Sequence, residues 1–182
     1  MKGLKDIFLE SQYWMMTIHA AFQRANVYKA NVDENKRKEF REYLHVEIQQ
    51  IAEKYYFKVD EDKHLKNIEK LQEYSRNEDI LQNGVLNYGI CQKILNLYLK
   101  YLWCAGRIPT PPHFPIDRVV QERLGFKENE IVSWTKQIKS EIDYLSIIRK
   151  TENILAQTYI DTLAELELEL YTHNNLKELL KK

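Results

Sequence analysis

Glycine and proline are scarce in this chain, five and four among 182 residues. So few turn-formers leave little room for the repeated reversals of a β-protein and suit a helical one. Cysteine is scarcer still: Cys91 and Cys104 stand thirteen positions apart in one expected helix, roughly 20 Å along its axis. They cannot bond to each other without destroying that helix, and two free thiols suit a reducing, cytoplasmic setting. No apolar run approaches the length of a membrane span, so no membrane partner is expected. The stretch Met1–Glu10 carries acids and lacks an uninterrupted apolar core, so no secretory signal is read there. An excess of one charge is missing too, because 27 Lys and Arg balance 27 Asp and Glu. The whole-chain field therefore draws in neither nucleic acid nor a membrane.

Motifs for several chemistries are also absent. His19, His45, His64 and His173 are scattered, with no HExxH pair or His/Cys cluster, so neither a metal site nor a cofactor is expected. There is no Walker loop, no GxGxxG and no serine in a nucleophile elbow. Internal repeats and low-complexity segments are lacking as well.

What is present is 44% apolar and 30% charged residues, a globular balance over a length that fits one domain, 1–182. Apolar residues recur at helical spacing almost throughout. Helices are expected over about 4–26, from Asp33 as N-cap to about Tyr55, and over 62–76. A polar stretch with the turn pair Asn83-Gly84 precedes the most apolar segment, Gly89–Ala105, which is hydrophobic on nearly every side. A helix of that kind occupies the centre of its domain, and Gly106 is its expected C-cap. The segment RIPTPPHFP holds all four prolines and rules out helix. Pro115 suits the first turn of a new helix over 116–124 that has Asp117 in that turn. Helices over 128–157 and 161–171 complete the reading, with the alternating LAELELEL tract assigned to helix. The expected fold is all-α: a compact multi-helix domain with a central buried helix and a helix-hairpin-helix-like segment.

The candidate site lies in 85–124. From Val85 to Lys127 six basic residues face two acidic ones, whereas from Thr151 onward six acids face three lysines. Lys93 places a cation near the start of the most buried helix, where a charge is costly without a partner or an opening. Asp117 sits at a helix start, where backbone N–H groups stabilise a carboxylate. A desolvated lysine beside an acid can attack a carbon electrophile as a neutral amine. The structural alternative is a lysine that snorkels from a core helix and an aspartate that serves its helix terminus. His113 lies in the rigid proline loop, either as a base-contacting group or as a surface residue. Gln92 and Asn96 would contact a ligand or bond to nearby backbone.

The run Gly89-Ile90-Cys91-Gln92-Lys93, the apolar stretch Ile94–Cys104 and the step Pro115-Ile116-Asp117 resemble the helix-hairpin-helix DNA glycosylases, most of all the archaeal-type 8-oxoguanine glycosylases. Their pattern is a Gly-apolar-Gly-x-Lys turn opening a helix, an apolar run, and a Pro-apolar-Asp helix start. Here Cys91 replaces the second glycine, and the proline loop lengthens the interval between lysine and aspartate. The resemblance implies DNA as partner, Lys93 as the nucleophile at the sugar C1′ and Asp117 as its assisting acid. It also implies that backbone around Asn87–Cys91, including Gly89, holds a phosphate, and that a flipped base meets Gln92, His113 and an aromatic ring such as Tyr98, Trp103 or Phe114. Two rivals stand beside it: a helical module that grips nucleic acid without chemistry, and a helical interaction protein, monomeric or homodimeric.

Overall fold

Helix starts in this chain are written in short polar side chains. Asp33, Asp60, Asn87, Asp117 and Ser140 each occupy an N-cap, and each side chain accepts a backbone N–H two or three residues on. Each such bond satisfies a donor that the helix itself cannot, worth about 1 kcal/mol. The computed structural model describes residues 3–173 and 175–181. Among them the helices are α1 (Leu4–Phe22), α2 (Glu34–Glu53), α3 (Glu61–Tyr74), α4 (Tyr88–Cys104), α5 (Arg118–Arg123), α6 (Glu141–Leu155), α7 (Leu163–His173) and α8 (Leu176–Leu179). No strand forms among the described residues; Tyr28 with Leu81 and Thr158 with Leu180 make isolated bridges. The protein is all-helical. No described helix is long and apolar enough to cross a membrane.

Helix α4 is the axis of the molecule. It packs against α1, α3 and α6, and its side chains from Tyr88 to Asn96 are buried without a break. Its polar residues Gln92, Lys93, Asn96 and Lys100 are buried as well, so each must find a partner inside the protein. Gly106 ends the helix at φ 68°: its N–H reaches Trp103 O at 2.8 Å and Arg107 N–H reaches Leu102 O at 2.9 Å. This paired closure needs a left-handed residue, which glycine adopts at no steric cost. Arg107 then ties the end of α4 to the start of α1 through Asp6 at 2.7 Å and Glu10 at 2.9 Å.

Three expected boundaries move. The first helix stops at Phe22 rather than near Asn26, because Val27 and Lys29 give their backbone groups to Gln82 and Ile80. The helix opening with Asp117 in its first turn instead begins at Arg118, with Asp117 as the N-cap. The expected helix over 128–157 is replaced by a 3-10 turn at Glu128–Glu130, an irregular stretch over 131–139 and then α6. That stretch spends its backbone bonds on distant partners. Gln121 binds both Val132 N–H and Val132 O, at 2.8 and 2.9 Å; Asn87 Nδ2 donates to Thr135 O, and Gly89 N–H donates to Ile138 O. A side chain at Gly89 would collide with the Trp134 carbonyl, so glycine is what allows this loop to lie against the start of α4.

Candidate functional site

Lys93 and Asp117 are brought together from 24 positions apart. Lys93 Nζ donates to Asp117 Oδ2 at 3.1 Å, while Asp117 Oδ1 accepts Val120 N–H at 3.0 Å. One carboxylate thus caps α5 and receives the ammonium of α4. The Lys93 side chain is 7% exposed and that of Asp117 26%, so the pair is approached from the carboxylate side. Trp134, in the irregular loop, lays its ring 4.3 Å from Lys93 Nζ. An aromatic face over an ammonium is attractive in its own right and keeps water off that side of the amine.

The register of Asp117 is set by an amide clamp. Gln92, fully buried, accepts Ile116 N–H at 3.1 Å and donates to Ile116 O at 2.8 Å and to Gly89 O at 3.0 Å. Asn96 donates to Gln92 Oε1 at 3.2 Å and to Tyr144 Oη at 3.0 Å. Tyr144 Oη meets His113 Nδ1 at 3.0 Å, and His113 Nε2 meets Glu61 at 3.1 Å, which Arg149 also holds. Burial lowers the His113 imidazole to about 4 despite the Glu61 carboxylate, and burial followed by the charge of His113 holds His64 well below its ordinary value. The histidine ring pair lies edge to face with centroids 4.8 Å apart. His113 is therefore a core residue in this polar chain rather than a group on the loop surface. Gln92 grips the backbone beside Asp117.

The remaining expected site residues fall elsewhere. The N–H groups of Gly89, Ile90 and Cys91 already serve Ile138 O, Asn87 Oδ1 and Asn87 O, so these donors of the helix start are engaged within the protein. Tyr98 and Phe114 are buried in the core. Trp103 is half-buried ten residues along α4 from Lys93, beside a cleft that it shares with Asp161, Glu165 and Glu169.

Three features carry no sequence motif. Trp134 is one, because a lone tryptophan in an expected helix signals nothing about an ammonium from another element. The second is a companion ion pair two turns along α4. Lys100 Nζ meets both Glu167 oxygens, at 2.9 and 2.7 Å, and lies 4.3 Å from the centroid of the Tyr171 ring. Burial raises the Glu167 carboxyl against the pull of Lys100. The third is Gln121, whose two-point hold on Val132 fixes the loop that carries Trp134. Among the described residues no group of three or more His, Cys, Asp or Glu side chains stands ready to hold a metal ion. Comparison of the chain with protein families, with curated proteins and with solved structures finds no match.

Proposed function

We propose that this protein acts on nucleic acid, with Lys93 as an amine nucleophile and Asp117 as its proton acceptor, in the manner of a base-excision glycosylase with a lyase step. The observation that carries this reading is the 3.1 Å contact between an amine near the start of a central helix and a carboxylate at a later helix start. The same two residues stand in the motif positions of the resemblance. A buried amine beside a partly open carboxylate has the two requirements of amine catalysis: a base within hydrogen-bond reach and a low-dielectric setting. Asp117 takes a proton from Lys93, and Nζ bonds to the sugar C1′ as the N-glycosidic bond breaks. The bonding pair leaves with the base, which takes up a proton from water. Nζ then loses a second proton to the hydroxide left by that water, its lone pair forms the iminium with C1′ as the C1′–O4′ bond breaks, and O4′ takes up the proton held by Asp117. Trp134 covers one face of the amine, so the sugar approaches Nζ from the carboxylate side. Gln92 and the Asn96–Tyr144–His113 chain act as positioning residues that keep Asp117 in register.

The test is borohydride trapping on duplex oligonucleotides that carry 8-oxoguanine, uracil or an abasic site. The natural chain is expected to give a covalent adduct with at least one of them, and Lys93→Gln none. No adduct from the natural chain, or equal adducts from both proteins, overturns the enzymatic reading.

A second reading, a non-enzymatic helical module, is favoured by α1. Leu4, Ile7, Phe8 and Met15 of that helix are exposed, a density of apolar side chains that suits a protein contact, including a second copy of the chain. Sedimentation across a concentration series tests it, and a monomer throughout removes the homodimer.

A further inference from the structure

A second surface stands out by the sign of its charge. The end of α2, the turn after it and the first half of α3 enclose a cleft of about 470 Å³ lined by Lys54, Lys58, Lys63, Lys66, Phe57 and Asn67, with no carboxylate among its walls. In a chain whose charges cancel overall, four lysines around one concavity need a physical account. Neighbouring clefts are richer in acid: Asp6, Glu10 and Glu53 line one beside Arg107, and Asp60, Glu61, Glu152 and Asp161 line another, on whose wall Lys58 also stands.

Three of the four ammonium groups have no carboxylate partner among the described residues. Lys63 pairs with Asp60 at 2.8 Å, whereas Lys58 and Lys66 form no ion pair among the described residues. Lys54 donates to the uncharged Asn67 Oδ1 at 2.8 Å. Asn67 is itself buried and anchored through Tyr55 Oη to His64, so the floor of the cleft belongs to the rigid core. Burial and then the charge of Lys70 lower the Lys54 ammonium below its usual value, which an anion at that point would reverse. Phe57 stands at the rim, 81% exposed with no ring stacked on it, although a large apolar side chain gains nothing from solvent. Mobile cations and a free aromatic face are the two elements that bind phosphate and stack a base.

We propose that this cleft binds a phosphate-bearing nucleobase, with the lysines taking the phosphates and Phe57 stacking on the base. The source is either a free nucleotide or a single strand, whose shared chemistry is the phosphorylated base. The site uses none of the residues of the Lys93 centre and stands whether or not that centre is catalytic.

Fluorescence anisotropy with a labelled ten-nucleotide oligothymidylate at low salt tests it. The natural chain is expected to bind, with a logarithmic salt slope of about −2 to −3 for three to four phosphate contacts on a single strand. Lys58→Glu with Lys66→Glu is expected to weaken binding more than about tenfold. Lys36→Glu with Lys38→Glu, the same charge change on exposed positions at the other end of α2, leaves it unchanged. Phe57→Ala is expected to weaken the oligothymidylate about tenfold and to leave inorganic triphosphate, used as competitor, untouched. Displacement by thymidine triphosphate assigns the cleft to a single nucleotide, and displacement by unlabelled oligothymidylate alone assigns it to a strand. The proposal fails if no binding occurs at low salt, if both lysine pairs weaken binding equally, or if Phe57→Ala has no effect. All the substituted positions are exposed, so circular dichroism of each variant should match the natural chain.

Discussion

Helix α4 carries two buried lysines seven positions apart, and the carboxylates that meet them differ in exposure. Glu167 is 4% exposed, offers both oxygens to Lys100 and lies in α7, with Tyr171 over the ammonium. Asp117 is 26% exposed, shares its oxygens between Lys93 and the α5 N-terminus, and opens one side of the pair to solvent. The closed pair turns both carboxylate oxygens onto the ammonium; the half-open pair leaves part of its carboxylate facing solvent. An ammonium–carboxylate contact in a core is thus not in itself a site, and the two pairs differ in how far the acid is open to solvent.

The sharpest way to break this contrast is to remove one member of the closed pair. Lys100→Ala leaves a buried carboxylate without compensation and is expected to destabilise the protein by about 3–5 kcal/mol, read from urea unfolding. Lys100→Met combined with Glu167→Leu should recover most of that loss, because the desolvation cost disappears with both charges. If the single substitution costs under about 1 kcal/mol, the pair is not sealed as described.

Next in size is acid. The unfolded chain binds a proton at His113 near pH 6.5, while the folded chain declines it down to about 4. The stability from this group is therefore complete above about pH 6.5 and drains away as pH falls toward 4, by about 3 kcal/mol. His64, lowered by burial, works in the same direction. The chain that holds Ile116 beside Asp117 runs through His113, so acid loosens that chain, while the burial that raises the Glu167 carboxyl makes the Lys100 pair sensitive to acid as well. His113→Gln should flatten the pH dependence of unfolding, and an unchanged slope would place the titration elsewhere.

Smaller effects are expected at the half-open pair. Asp117→Ala removes an N-cap and the partner of Lys93 and should cost about 2 kcal/mol, whereas Asp117→Asn keeps the cap and should cost about 1 kcal/mol. Lys93→Gln should cost about 1 kcal/mol in thermal unfolding, since Asp117 is left facing solvent. A larger loss from Lys93→Gln than from Lys100→Ala would invert the comparison.

Much of the frame was legible beforehand because it rests on local rules. The bounds of α4 follow from its apolar run and from Gly106, whose left-handed φ closes the helix. The cap at Asp33 is a short-range event, and the proline stretch excludes helix by its own covalent geometry, whereas the cap at Ser140 falls inside the helix expected over 128–157. The segment 131–139 carries a helical pattern yet is irregular, because its carbonyl and amide partners, Gln121, Asn87 and Gly89, lie far away in sequence and tertiary bonds override the local pattern. His113 looked like a surface loop residue because a sequence does not record what a loop folds over.

Periodicity, capping residues and the placement of Pro and Gly determined that the chain is helical and where its central helix runs, since each acts within a few residues of itself. The motif positions of Lys93 and Asp117 led to the expectation that the two meet, but tertiary structure alone decided that Trp134 covers them, that Lys100 closes on Glu167, and that four lysines gather around one cleft. These are contacts between positions whose separation along the chain carries no periodic signal. Their energies depend on burial, which exists only once the helices have packed.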